Sequence, residues 1–196
     1  MPRQGGAVLR ARHDAPASSS VSPPERVSLP WRSAWRVATV FLITFLVLHL
    51  LWEQAKGSAV ERLWINHATV GAVVHLINLV SPDTHAQAAG PRVRAPGGGI
   101  NVLNGCEGTD LLFLLWAGLM AFPMAWRRRA PAIVFGLGLV FILNELRIFA
   151  LFFALRSDKA LFDLLHTTVI PLLLIVGIIL YFHAWIDQEQ RLAVNP

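Results

Sequence analysis

Residues 109–129 read TDLLFLLWAGLMAFPMAWRRR. From Leu111 to Trp126 the run carries no charge, and it closes on Arg127, Arg128 and Arg129. With its flanks it reaches about 20 residues, the length that crosses a ~30 Å hydrocarbon core as a helix. An apolar run stopped by arginines reads as a membrane span whose stopped end faces the inside. Two further uncharged runs, Val37 to Trp52 and Thr167 to Ile186, have the same character. Over 196 residues the composition is 55% hydrophobic and 15% charged, too apolar for an ordinary soluble domain. A multi-pass membrane protein is expected. The net charge of +5 does not point to nucleic acid, because the basic residues flank apolar spans and no soluble domain remains to carry that function.

Outward from this run, residues 1–30 are rich in Arg, Pro, Ser and Gly and are expected to form a disordered basic tail. Residues 31–190 are expected to form a membrane-embedded helical domain. Its first span runs from about Ala34 to Trp52, and its long polar head marks it as an uncleaved anchor. The stretch Leu63 to Val80 is less clean. His67, Gly71, His75 and Asn78 fall on one helical stripe, so this segment reads as an amphipathic or re-entrant helix. Val93 to Val102, around Gly97, Gly98 and Gly99, reads as a short extended hairpin. After the Thr109 span, Pro131 opens another, reaching about Leu155. A loop from Arg156 to Asp163 leads to a last span beginning at His166. The fold class is therefore all-α, a polytopic membrane helix bundle of about four spans plus one amphipathic or re-entrant helix.

Parity then sets the depths. With Arg127–Arg129 inside, the start of the Thr109 span lies outside, and so does Cys106. The next span runs outward, which puts Arg147 in its outer half, and His166 opens the last span at the outer boundary. Cys106 is the single cysteine, so no intramolecular disulfide and no cysteine-rich zinc module is expected. The histidines at 49, 67, 75, 85 and 183 show no metal-ligand spacing and read as structural, and no cofactor is expected.

Asn-Gly-Cys-Glu-Gly around Cys106 is no setting for a buried aliphatic thiol. A thiol becomes a nucleophile as its thiolate, which helix N-termini and nearby cations favour. Cys106 sits just before the Thr109 helix, and Arg147 and His166 are the candidate cations. Glu107 and Asp110 oppose the shift. Asn144 lies three residues before Arg147 on the same helical face, where it can orient the guanidinium. A bland reading competes: Arg147 can pair with Glu145 or Asp163, and His166 can be an interfacial cap.

Cys106 in Asn-Gly-Cys-Glu-Gly, Arg147 in Asn-Glu-Leu-Arg-Ile and His166 in Leu-Leu-His-Thr-Thr together resemble the exosortase/archaeosortase family. The resemblance covers about residues 97–186, the expected catalytic half, and the short N-terminal half makes this look like a compact member. It implies a membrane-embedded cysteine transpeptidase or protease. Cys106 would be the nucleophile, His166 the acid and base, Arg147 the oxyanion or thiolate partner, and Asn144 a supporting residue. The implied substrate is an exported protein ending in a short motif, a transmembrane helix and a basic tail, cut at the outer face of the cell (inner) membrane. The competing function is a non-enzymatic scaffold or a subunit of a polymer-export system. A transporter needs polar residues through the full bilayer depth, and here they crowd one half.

Overall fold

The computed structural model describes residues 31–102 and 106–194. The expected tail, 1–30, lies outside the described residues. Helix α1 (Trp31–Ala55) begins directly after Pro30 and ends at Gly57, whose φ of 77° is left-handed. The next helix starts within one residue. Ser58 Oγ accepts the Val60 N–H at 3.1 Å, and the Glu61 carboxylate accepts the Gly57 N–H at 2.6 Å. These two bonds satisfy donors that a helix start otherwise leaves open. Helix α2 (Ala59–Val80) is 22 residues long, with Leu63–Val70 wound as a π-helix.

Three antiparallel strands follow: β1 (Gln87–Ala89), β2 (Arg92–Ala95) and β3 (Gly98–Asn101), in that spatial order. β2 and β3 form the hairpin expected around Gly97. β1 adds a strand that Gln-Ala-Ala, with its low strand preference, does not announce. Helices α3 (Thr109–Ala121) and α4 (Trp126–Ser157) come next. The last helix, α5, covers residues 159–194, with Leu165–Val169 wound as a π-helix.

The helices α1, α3, α4 and α5 alternate in direction. His49 of α1 faces Asp110 at the start of α3 (3.8 Å), while Ala34 and Val37 line a groove with Ala121 and Phe122 at its end. Arg129 Nη2 donates to the Phe122 carbonyl, which closes the corner between α3 and α4. Tyr181 of α5 donates to the Ala132 carbonyl near the start of α4, so these two are also antiparallel. One end of the bundle therefore carries Arg127, Arg128 and Arg129, and the other carries Cys106. We call these the basic end and the thiol end.

Two cores stack along α4. Toward the basic end, Ala132 and Val140 pack with Leu112, Leu115 and Leu119 of α3 and Ile178 of α5. Toward the thiol end, Ile148, Leu151 and Phe152 pack with Ile65, Val70, Val73 and Ile77 of α2 and with Val93 and Ile100 of the sheet. Trp64, near the start of α2, meets Phe141 edge-on at 5.8 Å. Helix α2 thus runs beside α4 in the same sense, continuing away from the basic end. It adds no return crossing, so the alternation of the other four helices is undisturbed. The sheet sits on this upper core. Arg156 Nη1 donates to the Pro96 carbonyl at 2.7 Å, and both backbone groups of Ala86 bond the Asn78 amide.

Several boundaries differ from the sequence reading. Four helices are long and apolar enough to cross a membrane, within residues 34–55, 59–80, 126–157 and 159–188. The Thr109 helix is not among them. It stops at Ala121 because Pro123 forces Phe122 out of the helical region (ψ 133°). At 13 residues it is about 20 Å long. Arg127–Arg129 belong to the first turn of α4, and Pro131 lies inside that helix. The expected loop from Arg156 to Asp163 is one corner residue. Asp158 accepts the Ala160 N–H at 2.9 Å and caps α5, which therefore starts at Lys159 and not at His166.

Candidate active site

The three residues singled out from sequence arrive from three elements. Cys106 is delivered by the turn before α3, and its thiol is buried, 8% exposed. Gly108, two residues on, is the N-cap of α3 with φ 75°. A Cβ on Gly108 would lie 2.7 Å from Asn144 Cγ, so α4 and the cysteine turn approach as closely as they do only over a glycine. That contact sets the depth of Cys106 against α4. Arg147, about one turn beyond Asn144, directs Nη2 at Cys106 Sγ, 3.8 Å away.

His166 completes the group: its Nε2 is 3.3 Å from Sγ. It lies about two turns inside α5, in the π-helical stretch. Pro171 supplies a cause for that stretch. Proline has no N–H for the carbonyl four residues earlier and its ring pushes that carbonyl aside, which opens the ladder at Thr167. Thr167 Oγ1 meanwhile donates back to the Asp163 carbonyl at 2.7 Å. A π-bulge inserts a residue and re-aims the side chains before it. The ring of His166 is held flat against Phe162, with centroids 5.4 Å apart and planes 6° from parallel. Phe162 was not singled out from sequence; its spacing of four from His166 is the signal that could have found it.

Electrostatics at the thiol are mixed. Burial pushes the Cys106 thiol above its ordinary value, the Arg147 guanidinium opposes that, and Glu107 adds to it. The net shift is upward, so the resting group is a thiol that needs a base at the moment of attack. Asn144 does not bond Arg147 through Oδ1, which is buried without a partner among the described residues. Arg147 Nε is likewise buried and unpartnered there, leaving a donor unspent. Neither oxygen of Glu145 has a hydrogen-bond partner, so the sequence alternative of a Glu145–Arg147 pair is not formed. Among the described residues no three His, Cys, Asp or Glu side chains gather to hold a metal ion.

The site is small and is not the largest cavity. An apolar groove of about 800 Å³ runs between α1, α3 and α5 toward the basic end, lined by residues such as Val37, Phe41, Gly118 and Phe182.

Comparison with known proteins agrees with the motif reading and widens it. The family model for transmembrane exosortases (Exosortase_EpsH) matches residues 27–188, so the match includes the N-terminal half that the motif resemblance did not reach. No curated protein and no solved structure matches the chain. A bundle of apolar helices with this match over most of its length is a multi-pass membrane protein, and the chain belongs to the transmembrane exosortase family.

Proposed function

We propose that the chain is a membrane-embedded cysteine transpeptidase or protease that cuts exported proteins near a C-terminal apolar span. The observation that carries this reading is the Cys106 Sγ–His166 Nε2 distance of 3.3 Å, with the Arg147 guanidinium 3.8 Å from the same sulfur. A nucleophile, a base within reach and a fixed cation are the groups acyl transfer requires.

The steps follow from those positions. His166 Nε2 takes the Sγ proton as sulfur attacks the carbonyl carbon of the scissile peptide. Negative charge develops on the carbonyl oxygen, and Arg147 stabilises it with the donors it has left. The C–N bond then breaks, and His166 returns the proton to the departing amine of the apolar segment. A thioester on Cys106 remains. Water or an amine acceptor attacks it, His166 removes the acceptor's proton, and the thiol is restored. Phe162 keeps the imidazole in the plane that faces sulfur throughout.

The test is the size of a co-expressed exported protein bearing a C-terminal span and a basic tail. Cys106→Ala abolishes its processing while membrane insertion of the enzyme is retained. His166→Ala lowers the rate by roughly 10²–10⁴-fold, the usual contribution of a positioned proton-transfer group. Unchanged processing by Cys106→Ala would return the chain to the non-enzymatic scaffold reading.

A further inference from the structure

The three-stranded sheet has two edges, and the fold treats them differently. On the β1 side the inward-bonding residues are Gln87 and Ala89, paired with Arg94 and Arg92. The outward-facing backbone groups belong to Ala86 and Ala88. Those of Ala86 are both taken: Asn78 Oδ1 accepts its N–H at 2.8 Å and Asn78 Nδ2 donates to its carbonyl at 2.9 Å. A side-chain amide thus occupies that edge as a strand would.

The β3 edge has no such cover. The Val102 N–H donates to the Pro91 carbonyl at 2.9 Å, so the antiparallel alternation bonds Ile100 and Gly98 to β2 as well. Gly99 then points its N–H and carbonyl away from the sheet. It is exposed and has no hydrogen-bond partner on that side among the described residues. A Cβ on Gly99 would overlap the Val93 carbonyl, so the position stays without a side chain that could shield the edge. Gly98 to Asn101 carries neither the Lys nor the Pro, and its register shows no bulge, with which proteins usually close an edge.

We propose that the open edge of β3 receives the extended segment of the substrate that precedes the scissile bond, as a fourth strand. This deepens the peptidase reading above and rests on it. Unpaired, outward N–H and C=O groups recognise an extended backbone; a helix, whose own groups are already bonded, cannot use them. Glycine permits close approach of that second backbone. Position supports the same occupant. Asn101 precedes Cys106 by five residues, so the end of β3 lies at most about 18 Å from the cysteine backbone. The sheet is tied to α4, which carries Arg147, by the Arg156–Pro96 bond and by Ile100 in the upper core. A strand laid along β3 runs parallel to it and ends at the thiol. Gly99 then contributes two backbone bonds, and the side chains beside it alternate between the sheet surface and the core side.

Disulfide crosslinking in cells tests this without relying on catalysis. Asn101→Cys is placed in a Cys106→Ser background and co-expressed with an exported protein bearing a C-terminal span and basic tail. Single cysteines are moved through the ten residues before its span. The expected result is crosslinking at every second position, at least several-fold above the positions between. A Gln87→Cys control on the Asn78-covered edge crosslinks at none of them. Crosslinks every three to four residues, equal crosslinking at all positions, or none overturns the strand. A disulfide between two Asn101→Cys chains without the co-expressed protein would make a second copy the occupant and also overturns it. Processing of the same protein by the unmodified enzyme is scored separately. Lost processing with a period of two keeps the docking strand and rejects the peptidase chemistry, whereas processing without that period rejects only the strand.

Discussion

At the residue scale the site depends on what flanks the thiol. Glu107 holds negative charge beside a sulfur whose ionisation burial already opposes, and Arg147 is the group pulling the other way. Replacing Glu107 by Gln removes a charge that disfavours the thiolate, so the alkylation rate of Cys106 reaches its half-maximum at lower pH. Replacing Arg147 by Gln moves that midpoint to higher pH. A pH series of iodoacetamide labelling reads both signs, and equal midpoints would show that neither charge acts on the sulfur. Gly108 offers a second test. Alanine there meets Asn144 at 2.7 Å and is also strained at φ 75°. Gly108→Ala is expected to cost about 1–2 kcal/mol from the left-handed backbone alone, with the clash in addition. Adding Asn144→Ala removes the clash and restores part of the thermal stability, leaving the backbone strain. A double variant no more stable than Gly108→Ala would show that the contact is not what fixes the turn.

At the element scale the last helix decides whether His166 reaches the sulfur. Its π-helical stretch, Leu165–Val169, holds one residue more than an α-helix would over the same rise. Deleting Thr168 lets the ladder close as α-helix and turns the segment before it by about 100°. His166 then leaves Sγ, and processing falls by about the same 10²–10⁴-fold as in His166→Ala. The variant remains inserted, because residues 170–188 keep their apolar faces. Retained activity would mean that the stretch does not aim the ring. Pro171 and the two threonines before it were visible in the sequence, yet the reading placed the helix start at His166. Asp158, a capping residue directly after a helix, was the better start signal.

At the scale of the whole molecule, orientation follows from charge. The basic end carries Arg127–Arg129 and the thiol end carries Cys106, on opposite ends of the alternating helices. The positive-inside rule then puts Cys106 on the outer side. An impermeant maleimide is expected to label Cys106 in intact cells after denaturant-free mild opening of the site by Gly108→Ala, and to miss an introduced Arg128→Cys until the cells are permeabilised. Reversed accessibility would invert the topology and remove exported proteins from the substrate class. Helix α2 does not disturb this arrangement. The polar stripe of His67, His75 and Asn78 raised a parity problem for a single crossing, and the structure meets it with a helix that runs on beside α4 instead of returning.

The membrane class, the alternation of apolar runs, the inside marker and the order of Cys106, Arg147 and His166 were legible in the sequence. Run length, charge position and residue order are local properties, and the bilayer reads them locally. The tertiary structure decided what depends on segments far apart in the chain. Asn144 meets Gly108 because α4 lies against the cysteine turn. Asn78 covers one sheet edge while the other stays open, and nothing in Gln-Ala-Ala or Gly-Gly-Ile-Asn announces which. The sense of α2 comes from Trp64 meeting Phe141 and from a core shared with Leu151 and Phe152. Hydrophobic pattern specifies that a face is buried; only packing specifies against what, and a catalytic distance of 3.3 Å is a property of that packing.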